Sequence, residues 1–312
     1  MSTSIHHERH DNPDHDERQQ MAADAAVISG VSPTIADELV PSGKVHTRQL
    51  STYIGPFIVF VLFISFWEYM HRDGMRRWLD KRPSLLPSPV TVIDQAFLDP
   101  FFRNQLIAGL GWTSYAAFIG LAITIVIGTG LAVFMAQAVW AERSIYPYLV
   151  ALQATPVLAI VPIIYSVFGG GMSSRIYVCV MISLFPIVTN TLFGLTSVEA
   201  SQHDLFTLRS AGRFTRLVKL QFPAAMPAIF TGFRISAGLA VIGAIVGEQF
   251  FRQGQKPGIG IVMEQFRTDL LYPPMYGGLL IAAALGIAVF LVFGFIGKLV
   301  VGHWHEPTRR GS

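Results

Sequence analysis

The chain has 312 residues and a formal net charge of +3; 52% of its residues are hydrophobic and only 14% are charged. Because a soluble domain carries about 25% charged residues, this composition and a mean hydropathy of +0.48 predict a membrane protein. The basic residues are scattered through short segments and form no stripe with interleaved aromatics, which argues against a nucleic-acid-binding surface. The single cysteine, Cys179, excludes an intrachain disulfide and a multi-cysteine metal site.

Residues 1–48 contain no sustained apolar period, so they cannot bury enough surface to offset the entropy of ordering, and we expect a disordered tail. Its histidines are His6, His7, His10 and His15. The stretch "HERH" lacks the His-Glu-x-x-His spacing of zinc proteases, so a solvated tail is favoured over a metal site. No signal peptide is expected, since the first apolar run begins only near Tyr53, and that run is predicted to remain as a span.

Six apolar runs follow, each near the roughly 20 residues that a helix needs to cross a bilayer core. They are Tyr53–Met70, Ile107–Gln137, Tyr148–Phe168, Ile176–Leu195, Ala228–Phe250 and Met275–Val300. The runs are continuously apolar instead of alternating, which favours helices over the strands of a membrane barrel. Prolines after the first run predict an interfacial loop with a short helix after Pro89. Lysines and arginines are balanced between the two sides, so their bias does not decide the orientation.

The longest polar and basic interruption in the second half of the chain is Asp204–Phe230. Asp204 is a candidate N-cap and Gly212 a candidate left-handed C-cap, so together they predict a helix of about two turns. A second, amphipathic helix is predicted after Gly212, and Pro223 and Pro227 mark where a new helix begins or bends. The apolar face of the second helix carries Phe214, Leu217, Val218 and Phe222, and its basic face carries Arg213, Arg216 and Lys219.

Two interpretations of this interruption fit its residues. It can be a basic loop that lies on anionic lipid headgroups. Alternatively, its first helix presents Leu205, Phe206 and Leu208 away from the bilayer and enters a groove on a partner protein. Physical reasoning from the residues alone leaves both interpretations open.

The stretch "LRSAGRFTRLVKLQFPAAMPAIFTGFRISAG" resembles the signature loop of permease subunits of binding-protein-dependent ABC importers. That signature is a Glu-Ala-Ala triplet, then a glycine, then a Leu-Pro pair. Gly212 matches the glycine, and Phe222 with Pro223 matches the pair. The triplet positions hold Phe206, Thr207 and Leu208, a departure that removes the glutamate and offers apolar contact instead.

The resemblance extends from about residue 86 to the C-terminus. The segments "LPSPVTVI", "QATPVLAIVPIIYSVFGGG", "FPIVTNTLFGLTSV" and "KPGIGIVMEQF" are similar to the nitrate, sulfonate, taurine and pyrimidine-precursor branch of the family. This resemblance implies an all-α polytopic membrane protein with about six transmembrane helices and the type I ABC importer permease fold. It implies a permease domain at 49–305 with a coupling loop at about 199–222, between cytoplasmic tails at 1–48 and 306–312.

In that family the interruption forms the coupling helix, which sits in a cleft of a cytoplasmic ATPase subunit. The resemblance therefore implies a homodimer with two cytoplasmic ATP-binding subunits, an extracytoplasmic solute-binding protein and surrounding membrane lipid. It also implies a prokaryotic inner membrane location with both termini in the cytoplasm. The residues that it assigns to the coupling loop are Asp204, Leu205, Phe206, Thr207, Leu208, Arg209, Ser210, Ala211, Gly212, Phe214, Arg216 and Pro223.

The chain lacks a P-loop, whose Gly-x-x-x-x-Gly-Lys-Ser/Thr pattern cradles nucleotide phosphates. Its two Gly-Lys pairs, at 43–44 and 297–298, are followed by Val45 and Leu299. We therefore expect no catalytic residue, no metal site and no cofactor in this chain, and no ATP hydrolysis by it. The energy for transport is expected to come from ATP bound by a partner or from an ion gradient.

Two charged residues fall inside the fifth predicted span, where charges are costly. Arg234 can face a cavity or gate of the translocation path and favour anions, or it can snorkel to the cytoplasmic surface. Glu248 lies about 21 Å further along, with the same choice between a path residue and a structural one. Gly243 and Gly247 form a Gly-x-x-x-Gly pattern that brings helices close, either within one bundle or against a second copy.

The leading hypothesis is a permease subunit that forms the path for a small solute. An aromatic vitamin precursor of the hydroxymethylpyrimidine or riboflavin type is expected, with sulfonates, taurine or nitrate as alternatives. A gradient-driven secondary transporter is the main rival, but no inverted repeat and no acid near the middle of a span support it. A membrane enzyme would need clustered His, Asp, Glu or Cys within the spans, and the sequence lacks such a cluster.

Overall fold

The computed structural model describes residues 48–254 and 256–302. The predicted tails lie outside these residues, except for Arg48. The chain divides into two compact units, Met1–Phe63 and Ile64–Ser312. The described part of the first unit is the beginning of helix α1 (Arg48–Tyr69), whose side chains from Ile54 onward are mostly exposed and apolar.

The second unit contains the rest of α1 and all later elements. Its α-helices are α2 (Met75–Trp78), α3 (Pro89–Ile93), α4 (Pro100–Gln137), α5 (Val139–Ala154), α6 (Val157–Phe168), α7 (Met172–Thr196), α8 (Ala200–Leu208), α9 (Arg213–Arg216), α10 (Phe222–Phe250), α11 (Ile259–Thr268) and α12 (Tyr272–Val301). Three π-helical turns, Met70–Gly74, Asp94–Leu98 and Leu217–Gln221, and one 3₁₀ turn, Pro83–Leu85, connect some of them. No strand occurs in the described ranges, and the predicted all-α fold is confirmed.

Five helical stretches are long and apolar enough to cross a membrane: Ile54–Trp78, Pro100–Gln137, Met172–Thr196, Arg213–Phe250 and Tyr272–Val301. The prediction of one helix over Tyr148–Phe168 is wrong. That run belongs to α5 and α6, which bend by 101° at their junction. Thr155 and Pro156 are both extended there, and a proline has no N–H to continue the helical ladder. If α5 and α6 are counted together as one broken span, the described residues contain six candidate crossings.

The α-helix α10 begins at Phe222 with Pro223 in its first turn, as predicted for that proline, and Pro227 lies inside α10. Helical structure runs without interruption from Arg213 to Phe250, through the π-helical turn Leu217–Gln221. The amide of Phe222 donates to the Leu217 carbonyl, one residue further back than in an α-helix. This shift of the hydrogen-bond ladder next to Pro223 lets the helix continue past a residue that has no N–H.

The centre of the second unit is the packing of α7 against α10, with α4 packed against both helices. Small residues allow these backbones to approach. A Cβ on Gly243 would lie 2.8 Å from the Cα of Cys179, and one on Gly247 would lie 3.1 Å from the Cα of Arg175. The Gly-x-x-x-Gly pattern therefore serves packing of α10 on α7 within one chain.

Candidate functional site

Helix α8 occupies the first half of the polar interruption and begins earlier than predicted. The chain leaves α7 at Thr196, and Glu199 has extended backbone angles of φ −64° and ψ 145° before α8 starts at Ala200. Asp204 therefore lies in the middle of α8, and the prediction that it is the N-cap is wrong. Glu199 occupies the cap position without a side-chain hydrogen bond to the helix.

The end of α8 is formed by Ser210 instead of Gly212. Ser210 has a φ of 51°, and its amide donates to the Thr207 carbonyl at 2.9 Å. The amide of Ala211 donates to the Phe206 carbonyl at 2.9 Å. These two bonds and the left-handed residue make a Schellman motif. Gly212 has a φ of −67° and a ψ of 164°, so the prediction of a left-handed cap at this glycine is wrong.

The tip of this helix-turn-helix exposes large apolar side chains. Leu205 is 63% exposed, Leu208 is 82% exposed and Phe214, just after the turn, is 77% exposed, whereas Phe206 is half-buried. Leu205 and Leu208 are three residues apart and share one face of α8. Apolar groups of this size on a segment that leaves the membrane are typical of a protein-binding surface.

The base of the interruption is fixed to the bundle. Leu217 and Phe222 pack on a cluster of three buried residues, Leu195, Ala225 and Ile229. Within the turn, the Arg216 guanidinium donates from Nε to the Ala211 carbonyl at 3.0 Å. The tip is therefore held on a defined support while its apolar side chains remain uncovered.

Three of the residues assigned to the coupling loop in sequence, Thr207, Arg209 and Pro223, remain to be placed. The Thr207 hydroxyl donates to the carbonyl of His203 one turn back. Arg209 and Asp204 are exposed. Pro223 lies in the first turn of α10 and is exposed. The structure therefore brings all of the predicted loop residues into one continuous segment at one end of α10.

Arg234 and Glu248 lie at different levels of α10, about 21 Å apart along its axis. The Arg234 side chain is exposed and lies over the ring of Phe290 in α12, 4.0 Å from its centroid. Glu248 is fully buried near the opposite end of α10. Its Oε1 accepts a hydrogen bond from the Thr113 hydroxyl at 2.8 Å, and its Oε2 accepts one from the amide of Gly260 at 2.8 Å. The structure does not bring these two charges together.

Arg175, in the first turn of α7, is a buried residue that the sequence analysis did not single out. Its side chain is 1% exposed, and it donates from Nε to the carbonyl of Phe251 at 2.7 Å and from Nη1 to the carbonyl of Lys256 at 2.8 Å. Arg175 and Glu248 thus hold the connection between α10 and α11 from both of its ends. The sequence carries no signal for this role, because the acceptors are distant carbonyls.

A surface cavity of about 420 Å³ lies beside this connection, outside the spans. It is lined by Arg252, Gly254, Pro257, Ile261, Glu264, Gln265, Thr268 and Asp269. Glu264 accepts two hydrogen bonds from Arg267, at 2.6 and 2.7 Å, and lies 3.6 Å from Arg252. The Arg267 hydrogen bonds are the main cause of a Glu264 pKa lowered to about 2, so the carboxylate is ionised at neutral pH.

Comparison with known proteins gives one family and several relatives. Residues 125–303 match the family described as "Binding-protein-dependent transport system inner membrane component". The formylaminopyrimidine transport permease protein ThiX of Halalkalibacterium halodurans is 34% identical over 237 residues, which are 75% of this chain and 90% of the relative. The riboflavin transport system permease protein RibX of Chloroflexus aurantiacus is 30% identical over 254 residues, 80% and 89% of the two chains. The nitrate import permease protein NrtB of a Synechocystis strain is 29% identical over 226 residues, 70% and 81% of the two chains.

Proposed function

The chain belongs to the family of binding-protein-dependent transport system inner membrane components and is a permease subunit of an ABC importer, and we propose that α8 and the following turn dock it on a cytoplasmic ATP-binding subunit. The observation that carries this proposal is the pair of exposed leucines, Leu205 and Leu208, at the tip of a supported helix. Covering each leucine is expected to contribute about 2 kcal/mol to docking.

The departure from the Glu-Ala-Ala triplet fits this arrangement. Phe206 and Leu208 stand at the first and third positions of the triplet, and only Leu208 is strongly exposed. Phe206 contributes its carbonyl to the Schellman motif that ends α8. We propose that the ATP-binding subunit presents an apolar cleft opposite Leu208 instead of a partner for a glutamate.

Docking on a cytoplasmic subunit sets the orientation of the chain. With the coupling loop in the cytoplasm, both termini are cytoplasmic, and the connection between α10 and α11 faces a solute-binding protein on the other side. Two copies of the chain and two ATP-binding subunits would form the importer. ATP brings the two ATP-binding subunits together, the coupling loops move with them, and the translocation path opens outward. ATP thereby shifts an equilibrium between two conformations of the importer.

The solute we propose is an aromatic vitamin precursor of the pyrimidine or flavin type. The relatives named for formylaminopyrimidine and riboflavin transport are at least 30% identical to this chain. Sulfonate, taurine or nitrate is the alternative, since relatives with lower identity are named for nitrate and aliphatic sulfonates. Arg234, exposed beside Phe290, is the residue of α10 that we propose for the translocation path. We expect Glu248 to act through structure, because its carboxylate is enclosed.

The docking proposal is tested with Leu208→Glu in the chain reconstituted with its candidate ATP-binding subunit and solute-binding protein. We expect at least a tenfold fall in the amount of ATP-binding subunit that co-purifies, because a charge replaces an apolar contact. ATP-driven uptake should fall in parallel. Leu270→Glu is the matched control, since Leu270 is 68% exposed at the opposite end of the bundle.

Unchanged co-purification with Leu208→Glu would overturn the docking surface. Uptake by the chain alone in an ion gradient, without any ATP-binding subunit, would instead support the gradient-driven transporter. The two outcomes are separate, because the first measures assembly and the second measures the energy source.

A further inference from the structure

A basic segment, defined here as residues 71–82, follows the predicted apolar run Tyr53–Met70 directly. Its cations are Arg72, Arg76, Arg77, Lys81 and Arg82. Its acids are Asp73 and Asp80, so five positive and two negative charges leave a net charge of +3 with the histidine neutral. No other stretch of this length in the described chain holds as many cations.

All five cations are exposed. Arg72 forms an ion pair with Glu68 at 2.6 Å, on the preceding turn. None of the other four cations takes part in an ion pair with a residue that the structure describes. Their charges are therefore available to a ligand outside the chain.

Large apolar side chains alternate with these charges. Trp78 is 66% exposed and Leu79 is 55% exposed, and the Trp78 ring packs edge-on against Tyr69, with 6.4 Å between centroids. Tryptophan and tyrosine side chains are enriched at the level of lipid headgroups, where an apolar ring and a polar edge are both accommodated. A surface that faced only water or only a polar protein face would not expose both rings and cations in this way.

The position of the segment is set by the helix that carries it. The helical stretch Ile54–Trp78 is continuous, so Arg76 lies about 10 Å beyond Tyr69 along the axis, at 1.5 Å per residue. The headgroup layer on each side of the hydrocarbon core is several Å thick. The start of the segment is also fixed, since the Trp67 indole donates to the Pro87 carbonyl at 3.0 Å and His71 Nδ1 lies 2.7 Å from the Leu86 carbonyl.

We propose that the basic segment is a binding site for the phosphate groups of anionic phospholipids, of the phosphatidylglycerol class. Guanidinium groups bind phosphate oxygens in a two-pronged geometry, and Arg76 and Arg77 supply two of them beside the Trp78 ring. The leaflet follows from the proposed function: with the coupling loop in the cytoplasm, the segment meets the outer leaflet. Inner-membrane proteins usually have their excess of lysine and arginine on the cytoplasmic side. Lipid binding would explain why this chain has a cluster of cations on the other side.

The test uses the full chain in detergent, titrated with phosphatidylglycerol or with phosphatidylethanolamine of the same acyl chains, and bound lipid is counted by native mass spectrometry. The wild-type chain should bind phosphatidylglycerol preferentially. Arg76→Gln with Arg77→Gln should weaken that binding by about 25-fold, because each of the two cations near an anionic surface contributes about a fivefold factor. Arg76→Lys with Arg77→Lys keeps the charge and should bind more weakly than the wild-type chain but more tightly than the glutamine variant, because it loses only the two-pronged guanidinium contacts.

The control is Arg252→Gln with Arg267→Gln, which removes the same charge from arginines whose side chains are 51% and 60% exposed elsewhere. If the glutamine variant of the basic segment is not monodisperse, the wild-type chain is titrated at increasing ionic strength instead. Its preference for phosphatidylglycerol must then fall as ionic strength rises, because salt screens the attraction between the cations and the phosphates.

The proposal is overturned if the wild-type chain shows no preference or if the control variant loses as much binding as the segment variant. It is also overturned if the segment variant weakens binding of the solute-binding protein while its phosphatidylglycerol binding is unchanged. No ATP-binding subunit is present in the lipid assay, so failure of the coupling-loop proposal and failure of this one are distinguishable.

Discussion

The two segments that flank α10 are built in opposite ways. The segment before it, 199–222, keeps its turn through backbone hydrogen bonds and leaves leucines exposed at its tip. The segment after it, between α10 and α11, is held by hydrogen bonds between backbone groups and two buried side chains, Arg175 and Glu248. The first is supported only at its base, whereas the second is held along its length. The difference fits the proposed docking of the first segment on a partner protein, whereas the second segment makes its contacts within the chain.

The connection between α10 and α11 has further internal contacts. The amide of Gln253 donates to the Gly170 carbonyl at 2.9 Å, and its side chain donates to the Tyr165 hydroxyl. The Lys256 ammonium lies over the Trp112 ring, 4.8 Å from its centroid. These contacts join the connection to α4, to α6 and to the turn between α6 and α7. Substitutions there should act on stability, and substitutions in the coupling loop should act on assembly.

Glu248→Ala should have the largest effect on stability. It leaves the Thr113 hydroxyl and the Gly260 amide, both buried, without their acceptor. Breaking such a buried network costs about 3–5 kcal/mol, so we expect a strong fall in the thermal unfolding temperature of the purified chain in detergent. Glu199→Ala, at an exposed position, is the control. Equal melting of the two variants would contradict the structural role of Glu248.

Gly258→Ala should destabilise the chain by a smaller amount, about 1–3 kcal/mol. A Cβ at this glycine would overlap the Glu248 carboxylate, although the backbone φ of −81° is open to alanine. Unfolding temperature is again the measurement. Gly111→Ala in α4 is the matched control, since no atom lies within 4 Å of its added Cβ, and it should be neutral or stabilising.

Gly212→Val should separate assembly from stability. The extended backbone of Gly212 suits a β-branched residue, and no atom lies within 4 Å of an added Cβ. We therefore expect a change in unfolding free energy below about 0.5 kcal/mol. The added side chain should nevertheless reduce co-purification of the ATP-binding subunit several-fold. A large loss of stability would show that this glycine is needed by the chain itself.

The smallest expected effect is the pH dependence of the Glu264 ion pair. Its folded-state pKa of about 2 lies below the ordinary value of 4.5, so the pair stabilises the chain above that ordinary value and is lost as pH falls towards 2. We expect the difference in unfolding temperature between the wild-type chain and Glu264→Gln to be constant from pH 5 to 8. It should shrink below about pH 4.3. A difference that grows on acidification would have the wrong sign.

Long apolar runs made the helical membrane fold predictable, because a span depends mainly on its own composition. The break at Thr155 and Pro156 was missed, since the same composition fits a straight helix or a bent pair. The cap residues were also misplaced: Asp204 and Gly212 have suitable propensities, but the positions of caps depend on where α7 ends and where α9 begins. Arg175 could not be assigned, because its acceptors lie 76 and 81 residues away in sequence.

The uninterrupted helical stretch from Arg213 to Phe250 has a mechanical consequence. Its 38 residues make a rod about 55 Å long at 1.5 Å per residue. A tilt of about 5° around one end of such a rod moves the other end sideways by about 5 Å, which is nearly one helical turn in distance. A small rotation of the turn at Gly212 would thus displace the other end of α10, at Phe250, by the geometry of the helix alone. No relay of side chains between the two ends of the helix would be needed.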